Sequence, residues 1–312
     1  MPTSWFLRNA HSSSISLCLA LSFAAGAFAQ TPAAVTSTLN TLDLTPGAQP
    51  VAVYTHSGYF EAPNWTRDGN SLVFDADGQV LTIANRSGAQ PTPLPLGDLL
   101  GCGGSHGLSP EGHTLAVTCH TAASPDTRVY LVPFPTGGAP RPLTHLPASY
   151  FHSWSPDGQT IFFTHPDRGA GNIFSVHLDG SDEHAITTGS GISDDPDISP
   201  DGRVLYFNAD RSGSMQIWHM HPDGTRPEQL TNDSRVNWSP HPSPDGRFVV
   251  FLSYEPGTTG HPANRSVTLR LLTLANGQTR TLVSFTGGSG SINVPSWSPD
   301  SQHLAYVSYA LK

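Results

Sequence analysis

Polar and apolar positions along this chain alternate in short bursts, not in helical turns. Thr160-Ile161-Phe162-Phe163-Thr164 is apolar through its middle, bounded by turn residues and too short for a helix, so it reads as a buried strand. Tyr150-Phe151-His152-Ser153-Trp154 precedes it, with Ser155-Pro156-Asp157-Gly158 between. Pro156 presets φ for the second turn position, Asp157 suits the third and Gly158 the fourth, so the two strands form a hairpin. The hairpin recurs at Trp65–Gly69, Leu108–Gly112, Ile198–Gly202, Pro242–Gly246 and Trp297–Ser301. The turn acids Asp68, Glu111, Asp157, Asp201, Asp245 and Asp300 stand 43, 46, 44, 44 and 55 residues apart. A strand-turn-strand unit at such spacing marks a repeat architecture.

Each unit carries a second hairpin. Gln79–Ala84, Arg128–Phe134, Asn172–Leu178, Gln216–His221 and Arg270–Leu274 read as third strands, with turns at Gly88, Gly138, Gly180, Gly224 and Gly277. Short fourth strands follow, as at Arg141–Thr144, His184–Thr187 and Glu228–Thr231. The chain stops after the second strand of the sixth unit, His303–Tyr309. The missing half stands at the other end, with Leu39–Leu44 as a third strand, Thr45-Pro46-Gly47 as a turn and Gln49–Thr55 as a fourth. The expected fold is all-β: a six-bladed β-propeller of four-stranded antiparallel blades, closed by N-terminal strands that complete the last blade. Closure removes the exposed sheet edges that invite aggregation. The second strands are apolar almost throughout, as strands covered on both faces are.

Composition adds a compartment and removes some partners. Ile15–Phe28 is apolar and small, Arg8 precedes it, and Ala27-Phe28-Ala29 fits a leader-peptidase site, so residues 1–29 read as a signal peptide cleaved after Ala29 and residues 30–312 as one propeller domain. The apolar run is too short to span a membrane. The net charge is −9 without any basic run, which argues against nucleic acid. A periplasmic or secreted monomer is expected. Cys102 and Cys119 flank the turn at Pro110-Glu111 symmetrically. A register pairing 102 with 119 or 120 allows a disulfide; a one-residue slip puts the two on opposite faces.

The repeated Trp-Ser-Pro-Asp-Gly with an apolar strand behind it resembles the TolB-like (PD40, WD40-like) propeller repeat, over nearly the whole chain after the leader. Asn208–Trp218 looks like a typical member. TolB, of the Tol–Pal system, carries an α/β domain ahead of its propeller, for which the stretch after Gln30 is too short. The repeat also occurs beside prolyl-oligopeptidase-type hydrolase domains, and none is expected here. The resemblance implies a periplasmic binding module.

Propellers bind at the mouth of the central channel, which the residues just before each inner turn are placed to line. Those residues are Glu61 and Asn64, His106, His152, Asp194 and Asp195, Asn237, Trp238 and His241, and Asn293; His261, in the long insertion Glu255–Ser266, is placed to reach over them. Imidazoles and carboxylates supply acid, base or metal-ligand chemistry, and amides orient a ligand. His106, His152 and His241 are the candidate ligands of a divalent metal. Asp194, Asp195 and Asp197 offer oxygens to a hard cation. Cys102, His106, Cys119 and His120 form a zinc-type set that competes with the disulfide. Gly103-Gly104-Ser105-His106-Gly107 matches Gly-x-Ser-x-Gly but enters a hairpin, where the nucleophile elbow of a hydrolase has no place. Trp65, Trp154 and Trp297 share one repeat position and read as packing; Trp238 falls outside it and is the candidate for stacking on a sugar. The expected function is binding of a protein partner or a polar, carbohydrate-like ligand at the mouth. The alternative is a carbohydrate-active lyase or hydrolase using the same His and carboxylate residues.

Overall fold

A computed structural model describes residues 35–167 and 170–311. The expected leader, residues 1–29, lies outside the described residues. The described chain is all-β, and none of its segments is a helix long and apolar enough to cross a membrane. It forms six antiparallel sheets arranged as blades.

Four blades run in simple meander order. They are Phe60–Trp65, Ser71–Ala76, Gln79–Ala84 and Thr92–Pro93; Tyr150–Trp154, Thr160–Asp167, Ala170–His177 and His184–Ala185; Ser193–Ile198, Leu205–Ala209, Gln216–Met220 and Glu228–Gln229; and Val236–Pro242, Phe248–Tyr254, Arg265–Thr273 and Gln278–Gly287. The blade after the first, His106–Leu108, Thr114–Thr121, Arg128–Pro133 and Arg141–Pro142, carries an added short strand, Leu99–Leu100, against Thr121 and His120.

The sixth blade joins the two ends of the chain. Val35–Asp43 pairs with His303–Leu311 along its full length, with Leu39 opposite Val307, and Val51–Ser57 pairs outside it. The innermost strand is reduced to a Trp297–Leu304 bridge, supplemented by hydrogen bonds from Ala305 N to Ser296 O and from Val307 N to Ser291 O. The expected third strand is therefore present but begins four residues earlier, at Val35.

Apolar side chains fill the spaces between blades. There are six clusters, each centred on two neighbouring blades. Phe162 and Ile173 meet Leu205 and Phe207, for example, while Tyr206 and Ile217 meet Val249 and Phe251. The ring closes where Leu269 and Leu271 meet Leu304 and Tyr306, and where Leu39 and Val307 meet Phe60 and Phe74. Covering on both faces explains the continuous apolar runs of the second strands.

Cys102 and Cys119 form a disulfide within the second blade. The Leu100–His120 register carries the chain on so that the two Cα atoms lie 4.4 Å apart. The zinc-type set that would use these cysteines is thereby excluded.

Two stability measurements test this account. Leu39 is fully buried in the closing strand, so Leu39→Ala should cost about 2–5 kcal/mol in urea melts. Replacing Cys102 and Cys119 by Ser opens a loop with a sequence separation of 17 and should cost about 3 kcal/mol; a change under ~0.5 kcal/mol would show the bridge to be dispensable.

Candidate functional site

The inner strands share a local irregularity that decides which side chains reach the channel. In three blades the ladder skips two residues against one: Ala62-Pro63 opposite Phe74, Asp195-Pro196 opposite Phe207, and Ser239-Pro240 opposite Phe251. Ala62, Asp195 and Ser239 adopt left-handed backbone, with φ of 59°, 51° and 53°. A fourth blade has one extra residue at the same level, His152 between Phe151 and Ser153. Such bulges re-aim side chains, and non-glycine residues at positive φ persist where the surroundings enforce them.

The bulges open onto one cavity of about 540 Å³. Seven of the sequence-predicted residues line it: Glu61, His152, Asp194, Asp195, Trp238, His261 and Asn293. Among the described residues, no lysine or arginine does. On one wall, Nε2 of His152 lies 3.5 Å from Asp194 Oδ1, and Nδ1 lies 3.4 Å from Asp195 Oδ1. Asp194 Oδ1 accepts from Thr164 Oγ1 at 2.7 Å and from the Asp195 amide at 2.9 Å. Asp195 Oδ2 accepts from Ser239 Oγ at 2.8 Å. Burial raises the Asp195 carboxyl above its ordinary value, neighbouring Asp194 adds to the rise, and His152 and His261 oppose it.

Glu61 forms the opposite wall. It is wedged against Gly290, where a Cβ would fall 2.3 Å from Glu61 Oε2, so only glycine admits the carboxylate there. Behind it lie Asp75 and His106, both buried, with Asp75 Oδ1 3.2 Å from His106 Nδ1 and no hydrogen bond to either side chain among the described residues. Burial first, then Asp75, push the Glu61 carboxyl up to about 7, against the pull of His106.

Four predicted residues do not line the cavity. Asn64, His106, Asn237 and His241 are buried between strands or blades. Asn64 donates to Pro295 O at 2.6 Å and accepts from Leu108 N. His241 Nδ1 meets Asp197 Oδ2 at 2.9 Å, and its Nε2 meets Ile292 O. Burial raises the Asp197 carboxyl, and the bond to His241 counters it. Asn237 bonds Gln216, Thr231 and Ser253. The cause for Asn64 and His241 is the bulge, which turns residues on its turn side sideways into the neighbouring blade. The same level holds Ser153, which donates to Pro196 O, and Ser296, which donates to Pro63 O. Trp154 Nε1 donates to Gly107 O and Trp297 Nε1 to His241 O. Together these bonds tie each inner strand to the next. The candidate histidine triad accordingly does not assemble. Among the described residues, the group of metal-ligand type that does is His152, Asp194 and Asp195. Asp197, expected with the other two aspartates, is held by His241 instead. Trp238 is also corrected: it is buried, with His261 over it at a ring-centroid distance of 4.5 Å, so it offers no open stacking face.

The family model for the TolB β-propeller domain, PD40, matches residues 105–286. An uncharacterised protein of Agrobacterium fabrum is 38% identical over 250 residues, 80% of this chain and 85% of that one. The chain belongs to the TolB β-propeller family. A solved structure of a candidate TolB from Agrobacterium tumefaciens superposes at a TM-score of 0.85 with 35% identity, over 89% of this chain and 99% of that one. TolB from Acinetobacter baumannii gives a TM-score of 0.62 at 17% identity, over 89% and 67% of the two chains, a likeness of fold.

Sequence reasoning missed several residues that line the cavity of this PD40 propeller, among them Tyr150, Thr164, Ser239 and Tyr254. Tyr150 is 42% exposed and supplies the open ring that Trp238 does not. Pro63, Pro196 and Pro240, each three residues before the turn Ser or Thr, carried a signal for the bulges, since proline occurs within sheets chiefly at bulges and edges.

Glu61 gives this PD40 propeller a defined pH response. Its carboxyl is at 4.5 ordinarily and about 7 when folded, so the unfolded chain loses the proton first as pH rises. The Glu61 contribution should therefore be fully present below pH 4.5, decline from 4.5 to about 7, and stay flat above. Denaturant melts of wild type and Glu61→Gln across that window should diverge with this sign; parallel curves would refute the assignment.

Proposed function

We propose that this PD40 propeller is an exported, periplasmic binding protein that takes an uncharged, carbohydrate-like ligand at the mouth of its channel. The observation that carries the reading is the convergence of seven sequence-distant polar or aromatic side chains, from five blades and one insertion, on one cavity. Pockets with a few convergent polar groups on an apolar frame are the usual form of small-ligand sites. Glu61, Asp194, Asp195 and Asn293 offer acceptors and donors to hydroxyl groups, and Tyr150 offers a ring face. Among the described residues the lining holds carboxylates and no lysine or arginine, which favours a neutral sugar over a sugar acid. Residues 1–29 as a cleaved leader and residues 30–312 as the mature domain give the compartment, and the Cys102–Cys119 disulfide is in keeping with an oxidising one.

A second reading has one observation in its favour. A carboxyl held near 7, as Glu61 is, keeps its proton close to neutral pH as a general acid must. An enzyme that cleaves the bound carbohydrate would use Glu61 in that role, with Asp194 or Asp195 as the partner carboxylate.

Calorimetry of the mature protein against neutral and uronic-acid oligosaccharides tests the binding reading. Neutral sugars should bind, uronic acids should not, and Tyr150→Ala should weaken binding roughly tenfold. Failure of every sugar to bind the folded protein would sink the proposal. Release of shortened products, abolished by Glu61→Gln, would promote the second reading over the first.

A further inference from the structure

We infer that His152, Asp194 and Asp195 form a binding site for a divalent transition-metal ion on the cavity wall. One ligand atom from each lies within 4.8 Å of the others. Donors around a tetrahedral zinc ion stand ~3.3 Å apart, so side-chain rotations that draw the three together close the set on an ion. The three come from two adjacent blades, and the bulges at His152 and Asp195 bring them to the same level.

The hydrogen bonds around the carboxylates leave a ligand atom free on each. Thr164 and the Asp195 amide occupy Asp194 Oδ1, and Asp194 Oδ2 has no hydrogen bond among the described residues. Ser239 occupies Asp195 Oδ2, which leaves Oδ1 facing His152. This is how the outer shell of a metal site orients its ligands. His152 supplies an independent observation. It is only 8% exposed, it lines the cavity, and neither ring nitrogen makes a hydrogen bond to the described residues. Its two nitrogens stand 3.5 Å from Asp194 Oδ1 and 3.4 Å from Asp195 Oδ1 without closing a hydrogen bond to either, an arrangement that a shared cation would tighten.

Donor chemistry selects the class of ion. One imidazole nitrogen with two carboxylate oxygens suits Zn²⁺ or Mn²⁺ better than the all-oxygen preference of Ca²⁺. Three protein ligands leave coordination positions open toward the cavity, where water or a sugar hydroxyl completes the shell. The site goes beyond the carbohydrate reading and does not depend on it.

The test is calorimetric titration of chelator-treated mature protein with Zn²⁺, Mn²⁺ and Ca²⁺, with thermal melts to verify folding. Zn²⁺ or Mn²⁺ should bind at one ion per chain and more tightly than Ca²⁺. His152→Ala and Asp194→Asn should each weaken binding more than tenfold, and Thr164→Val, which removes only an orienting bond, about tenfold. No uptake by the folded protein at ~1 mM ion would overturn the site. So would uptake that His152→Ala and Asp194→Asn both leave unchanged, because the ion would then be held elsewhere. Sugar binding by the metal-free protein is read separately, and its loss would count against the carbohydrate proposal alone.

Discussion

The burial of apolar surface between neighbouring blades is what the rest of the molecule depends on. Each sheet is apolar on both faces and cannot cover either by itself. Six sheets have twelve faces to pair, and the six clusters, running from Phe60 and Phe74 round to Leu304 and Tyr306, show all six pairs made. A straight stack would leave two apolar faces to water; a ring leaves none. The demand for closure explains why Val35–Asp43 sits in the sheet of His303–Leu311, since no other strand could complete that blade.

Closure also creates the site. The inner strands approach one another around the channel, and their polar residues divide into two sets according to the bulge. Residues on the turn side, such as Asn64, Asp197 and His241, join strand to strand in hydrogen bonds. Residues on the far side, such as Glu61 and Asp194, and Asp195 within the bulge face the cavity. The carboxylates there are held partly out of water beside other carboxylates, which is why Glu61 and Asp195 bind protons more tightly than free carboxylates. Preorganisation of this kind rests on the hydrogen-bonded inner ring beneath it.

The fold was legible because its signals are local and repeated. Pro156-Asp157-Gly158 fixes a turn by backbone chemistry alone, and five further copies of the turn fix the architecture. Leu39–Leu44 and Gln49–Thr55 were readable as the missing half-blade because counting demanded them. The site was legible only in part. Sequence offset from the turn places a residue near the channel but does not say to which side of a bulge it falls, and one inserted residue reverses the direction of the next side chain. Asn64 and His241 were therefore assigned to the cavity although they point between blades. Tyr150 went unnoticed because nothing in a single strand says that an aromatic at its start will lie across the mouth. Trp238 misled for a related reason: its cover, His261, comes from a separate insertion.

The joint in the sixth blade has a consequence for biosynthesis. Asn40 and Ser308, bonded across it, are 268 residues apart, so the strand Val35–Asp43 must wait on the ribosome for its partner near the other end. Until the final strand arrives, Val35–Asp43 and the incomplete ring expose sticky edges and uncovered faces. Nascent chains of this design are at their most vulnerable late in synthesis, when the seam of the ring still stands open. A chaperone that shields the emerging amino-terminal segment would protect the one contact that no earlier part of the chain can make.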